Sequence, residues 1–215
     1  MKFDAVLFDC DGVLVDSEAI TCGVLRDMFE ELGWQLTLQE CMAHFVGHTV
    51  RTRKDLIEAH TGQPFTEDWL QTFYQRRNVR LENEITAIPH VHQAVQHLHA
   101  VHHGQIACAS GADRFKINLM LAQVGLFDFF DGRIFSGHEV PRSKPFPDVY
   151  LAAAAHLGQD PARCLAIEDT PIGVAAGVAA GATVWGYAVH GQADALRQAG
   201  AAHVFDDMRE LLLTA

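Results

Sequence analysis

The sequence predicts an α/β fold, with a parallel sheet core carrying helices on both faces and an α-helical cap inserted near the start of the chain. Three observations carry that reading. Short apolar runs recur from Phe3 to Phe8, Gln105 to Ala109, Arg163 to Ile167 and Ala182 to Tyr187, each with the length and character of a buried parallel strand. Helical patterns alternate with the later runs, the order that builds a parallel sheet. The segment from Asp16 to Glu84 breaks the alternation, offering successive helical patterns and no convincing strand.

In chain order, the first run leads directly into Asp9-Cys10-Asp11-Gly12. Cap helices are predicted from Ser17 to Leu32, Leu38 to Phe45, Val50 to His60 and Glu67 to Leu81, with Gly33, Gly47 and Thr61-Gly62 as stops. The expected division is a core of residues 1–15 and 86–215 and a cap of residues 16–85, with hinges near Val15-Asp16 and between Thr86 and Pro89. In the core, helices are predicted from Phe115 to Val124, Asp148 to Leu157 and Pro171 to Ala180, ended by Gly125, Gly158 and Gly181. Gly173, Gly177 and Gly181 recur at every fourth position, which allows one face of that helix to approach the sheet closely.

Composition narrows the function. Hydrophobic residues at 49% and charged ones at 20% describe an ordinary globular chain rather than a disordered one. Sixteen basic against twenty-seven acidic residues give a formal charge of -11, which opposes binding to nucleic acid or an anionic membrane. An anionic substrate must then be held by local groups. The opening Met1-Lys2-Phe3-Asp4 contains no apolar stretch of signal-peptide length, so cytoplasm is the expected address. A monomer is the expected state. Five scattered cysteines without Cys-x-x-Cys spacing read as reduced thiols, with Cys108 and Cys164 acting as small hydrophobes.

Four pieces carry chemistry. Asp9 and Asp11 leave the first strand at the end where open α/β sheets place ligands, although an aspartate-rich surface turn would look the same. Glu168-Asp169 follows the third run, just ahead of Thr170-Pro171, a capping residue and a helix-starting proline. Four carboxylates gathered at one edge would repel one another without a cation, and oxygen-only donors favour a hard ion such as magnesium. Ser110-Gly111 ends the second run, where a hydroxyl and backbone amides can hold phosphate oxygens. Lys144 stands in Ser143-Lys144-Pro145-Phe146-Pro147-Asp148, whose prolines keep the loop extended.

In this order, after successive strands, these pieces resemble the haloacid dehalogenase superfamily across the whole chain. The motif from Asp9 to Glu18 is similar to the β-phosphoglucomutase-like phosphatase subgroup, which implies a Rossmann-like core. The resemblance implies that Asp9 is the nucleophile, Asp11 the acid/base, Ser110 and Lys144 the phosphate holders, and Asp169 a magnesium ligand. Asp9, Glu168 and the backbone carbonyl of Asp11 would complete the metal's surroundings, and Gly111 would lie against the phosphate. A small phosphate ester is then the expected substrate, hydrolysed through an aspartyl-phosphate. The alternative is a phosphomutase, in which the first cap helix carries a histidine where this sequence has Thr21. Dehalogenases and phosphonate-cleaving members lack the acid/base corresponding to Asp11.

Substrate selection is expected from the cap. The segment His44 to Arg51 looks like the family's substrate-facing loop, making His48, Arg51 and Arg77 candidate contacts, although either arginine would also fit a solvated surface. Parts of the cap, with Arg133-Ile134-Phe135-Ser136-Gly137, resemble bacterial phosphatases acting on sugar phosphates such as 6-phosphogluconate. The histidines between His90 and His103 are expected to form a solvated face, with His92, His99 and His103 on its polar side, rather than a metal site. A non-enzymatic binder on the same fold would have little need for Asp9, Asp11, Ser110, Lys144 and Asp169 together.

Overall fold

A computed structural model describes residues 3–188 and 191–213, so Met1 and Lys2 of the opening segment lie outside the described residues. The chain divides into two compact units, Met1–Val15 with Ala87–Ala215, and Asp16–Thr86. The core begins with β1 (Ala5–Phe8) and reaches the first crossing at β2 (Val15–Asp16). The other unit holds α1 (Glu18–Glu31), α2 (Leu38–Phe45), α3 (Lys54–Thr61) and α4 (Glu67–Glu84), and the chain returns through β3 (Thr86–Ala87). The core then continues with α5 (Val91–Val101), β4 (Ile106–Ser110), α6 (Arg114–Gln123), α7 (Phe127–Phe130), β5 (Ile134–Ser136) and α8 (Asp148–His156). It continues with β6 (Cys164–Glu168), α9 (Pro171–Ala179), β7 (Thr183–Tyr187), α10 (Ala193–Gln198) and β8 (His203–Phe205), followed by a 3-10 helix, Met208–Leu213.

Six parallel strands make the sheet, in the order β5-β4-β1-β6-β7-β8. The sequence reading of four strands is corrected by two additions, β5 and β8. Both are three-residue outer strands with mixed burial, so neither needs the continuous apolar run that marks a strand buried on both faces. From β1 the chain moves outward through β4 to β5, whereas from β6 it moves the opposite way through β7 to β8. The adjacent C-terminal ends of β1 and β6 are therefore the topological switch point, where such sheets open a crevice.

Alternation along β1 explains the two helical layers. Ala5 and Leu7 pack in one buried cluster with Val149 and Tyr150 of α8 and Val174 of α9. Phe8 faces the other way and meets Phe130 of α7 edge-to-face at 5.8 Å. Gly177 brings α9 against the sheet as its spacing predicts, since a Cβ there would lie 2.7 Å from Val184 Cγ2. Thr170 accepts a hydrogen bond from the Gly173 amide and Pro171 opens α9, as the sequence signature indicates.

The second unit has its own core. Phe29 is its centre, with ring centroids 4.8 Å from Trp34, 5.2 Å from Phe45 and 5.7 Å from Trp69. Thr37 and Glu40 form a reciprocal capping box on α2. Two predicted boundaries shift. The helix expected from Val50 begins as a 3-10 turn, Val50–Arg53, before α3, and α4 runs past Leu81 to Glu84, where Arg80 pairs with Glu84 one turn on.

Candidate active site

The register of the sheet assembles the acids. Phe8 pairs with Ile167, and the Asp9 amide continues the ladder by donating to the Ile167 carbonyl at 3.0 Å. Asp9 and Glu168 therefore leave neighbouring strands at the same level. Asp9, Glu168 and Asp169 are all buried, and one carboxylate oxygen from each lies within 4.8 Å of the others. Among the described residues this is the grouping able to hold a metal ion.

Two glycines make room for these carboxylates. Gly12 has φ +77, and a Cβ there would sit 2.1 Å from Asp169 Oδ2, so both backbone conformation and space require glycine. Gly173 lies beneath Glu168, where a Cβ would meet Oε2 at 2.0 Å. The spacing of glycines in α9 is thus more than a packing device. Gly173→Ala is expected to displace Glu168, lowering stability by about 1–3 kcal/mol in chemical denaturation and depressing activity. Unchanged values of both would contradict this placement.

Lys144 enters from the loop between β5 and α8, and its Nζ donates to Asp9 Oδ1 and Glu168 Oε1, each at 2.6 Å. Its side chain is only 9% exposed, so these ion pairs are shielded from solvent. Close loop packing places it. A Cβ on Gly137 would lie 2.3 Å from Ser143 Oγ and 3.1 Å from Gly111 Cα, drawing the loops after β4 and β5 together beside Lys144. The buried Ser110 ends β4, and its Oγ accepts from the Ala112 amide at 3.1 Å.

Two residues missed by the sequence reading join this arrangement. Tyr150, in α8, donates its hydroxyl hydrogen to Glu168 Oε1 at 2.5 Å, and Lys144 Nζ lies 4.9 Å from its ring centroid. Lys116, in α6, donates to Asp11 Oδ1 at 2.5 Å. The carboxylate of Asp11 is thus held by its own lysine, while the other three acids form the close cluster.

The electrostatics follow from burial and crowding. Burial raises Asp9 to about 7, Lys144 opposes the rise, and the charges of Glu168 and Asp11 add to it. For Lys144, burial acts downward, but Asp9 and Glu168 hold its ammonium well above the usual range. Burial, followed by the Glu168 charge, also raises Tyr150. A single ammonium against three clustered carboxylates leaves an anionic, oxygen-only pocket. The donor set fits a hard divalent cation.

The predicted cap residues have different surroundings. His48 is exposed. Arg51 is also exposed, with its guanidinium forked onto Glu67. Arg77 is buried, not the solvated surface residue that was the alternative reading. Its guanidinium lies 4.7 Å from the Tyr74 ring and donates to Asn78 Oδ1 at 2.8 Å through Nη2.

Elsewhere the histidine face is only partly solvated. His92 and His103 are exposed, but His99 packs against Phe129 at 5.5 Å and His102 is buried. α5 ends at Val101 and His103 adopts φ 50, so helical spacing does not extend from His99 to His103. All five cysteines are free and buried.

Known proteins are similar to this chain along most of its length. The family model for haloacid dehalogenase-like hydrolases matches residues 3–181. Hexitol phosphatase B of Escherichia coli K12 is 32% identical over 180 residues, covering 82% of this chain and 79% of the relative. The 6-phosphogluconate phosphatase of the same strain is 26% identical over 185 residues, covering 86% of this chain and 82% of that one. A haloacid dehalogenase family hydrolase from Deinococcus radiodurans R1, crystallised with bound phosphate and sodium, is 37% identical with a TM-score of 0.80, covering 98% of this chain and 93% of the other.

Proposed function

We propose, from the premise that the chain belongs to the haloacid dehalogenase-like hydrolase family, that it is a magnesium-dependent phosphatase acting on a small sugar phosphate. The observation that carries this reading is the Lys144 ammonium held between Asp9 and Glu168 at the end of β1, with Asp169 in the same cluster. It supplies a nucleophile, an adjacent cation and a donor set for a metal in one buried place. The sugar phosphate substrate is supported by the similarity to hexitol and 6-phosphogluconate phosphatases.

Asp9 attacks phosphorus in line, forming an O–P bond as the ester P–O bond breaks, and Asp11 gives its proton to the departing alkoxide. Asp11 then takes a proton from water as that water attacks phosphorus, freeing phosphate and regenerating Asp9. Lys144 offsets the charge brought together by the two anions. Ser110 and the amides of its loop hold phosphoryl oxygens. Magnesium would be held by Asp9, Glu168, Asp169 and the backbone carbonyl of Asp11, and would supply positive charge beside the transferred group. The mutase alternative is disfavoured by Thr21, which offers no imidazole on the first cap helix.

The direct test is phosphate release from a panel of esters, including 6-phosphogluconate and hexitol phosphates, with magnesium and with chelator. Magnesium-dependent release is expected. Conversion of β-glucose 1-phosphate to glucose 6-phosphate without release would establish the mutase instead.

Proton linkage provides a second prediction. Between the ordinary carboxylate range and about 7 the folded chain keeps a proton on Asp9 that the unfolded chain has lost. This group's contribution to stability therefore falls as pH rises through that window. Cation binding needs the ionised carboxylate. Magnesium is accordingly expected to raise the melting temperature more at about pH 8 than at about pH 5. Equal gains at both would contradict the assignment.

A further inference from the structure

Lys116 is an expensive residue for a helix to hold at its position. It stands in the first turn of α6, where the helix dipole disfavours a cation, and its side chain is only 9% exposed. Burial of a lysine calls for a partner. That partner is Asp11, 105 positions away in sequence, whose Oδ1 receives the Nζ hydrogen bond at 2.5 Å. The helix is built to deliver it. Asp113 caps α6 by accepting from the backbone amide of Lys116 itself at 2.9 Å, so the residue is anchored at its backbone while its side chain reaches Asp11.

We propose that Lys116 is a positioning residue for this reaction, gripping the Asp11 carboxylate through Oδ1 and setting the orientation from which Asp11 exchanges its proton. The two buried lysines then have separate tasks. Lys144 faces the nucleophile and the acids that would hold the metal, whereas Lys116 contacts Asp11 Oδ1 and acts on the reaction through that carboxylate. A proton donor carried on a freely turning side chain would spend much of its time out of line, and small misplacements of reacting groups are costly in rate. This inference rests on the proposed role of Asp11 in phosphoryl transfer.

The test is a double-mutant cycle read in steady-state kinetics, with Asp11→Asn and Lys116→Met alone and combined. Lys116→Met alone is expected to lower kcat by about 10- to 100-fold, with KM within about threefold of wild type. Lys116→Arg, which can keep the grip, should recover most of that loss. In the Asp11→Asn background, Lys116→Met should change kcat by less than about twofold. Equal losses in both backgrounds, or an unchanged kcat in Lys116→Met, would overturn the proposal. The double variant, lacking both charges, also controls for folding. A crystal structure of Lys116→Met reads the same claim without turnover: a reoriented Asp11 carboxylate supports it, and an unmoved one overturns it. Should the wild-type enzyme release phosphate from no ester, the phosphatase reading fails while that structure still decides what Lys116 does.

Discussion

Asp9→Asn is expected to reduce phosphate release to background, a loss of about 10⁴-fold or more, because the amide cannot serve as the nucleophile. Folding should survive the change. Asp9 is a buried carboxylate whose ionisation is opposed by burial and by Glu168 and Asp11, so a neutral isostere removes a charge that the fold tolerates at a cost. Lys144 keeps its bond to Glu168. The variant should therefore unfold at the same or a higher denaturant concentration than wild type at about pH 8, where wild-type Asp9 is ionised. Inactivity accompanied by clear destabilisation would place Asp9 among the structural acids instead.

Lys144→Met should have the largest effect on stability. It leaves Asp9 and Glu168, with side chains 10% and 1% exposed, without the ammonium that both contact. Breaking one side of a buried ionic arrangement costs about 3–5 kcal/mol. The loss should be greatest at about pH 8 and shrink toward about pH 5, because Asp9 without its lysine takes up a proton more readily and the repulsion subsides. Urea denaturation at the two pH values checks this, and a pH-independent loss would contradict it. Activity should fall as well, since the charge beside the attacking anion is gone.

The sequence made the site's first tier readable because strand ends and helix starts carry local signals. Phe3 to Phe8 reads as a buried strand from its apolar run, so Asp9 falls at its end. Thr170-Pro171 marks a helix start, so Glu168 and Asp169 fall just before it. Gly125, Gly158 and Gly181 mark stops that α6, α8 and α9 obey within a residue or two.

What was not readable depends on distant partners. In sequence, Lys116 is one more polar residue near a helix start, and only folding brings it to Asp11. Its position against the helix dipole was the available hint. Tyr150 looks like an apolar residue of an alanine-rich helix until Glu168 is placed against its hydroxyl. β5 and β8 escaped notice because outer strands of three residues, one containing Phe135 and Ser136 and the other His203, do not form a continuous apolar run. α7 is a four-residue helix, too short for a periodic signal.

In the proposed reaction Asp9 carries the phosphoryl group between substrate and water. The most direct measurement is acid quenching during turnover of a labelled phosphate ester with magnesium, followed by peptide mapping of the trapped protein. Label is expected on Asp9, absent in Asp9→Asn and diminished by chelator. Turnover at the normal rate with no label on Asp9, or with label on another residue, would contradict it.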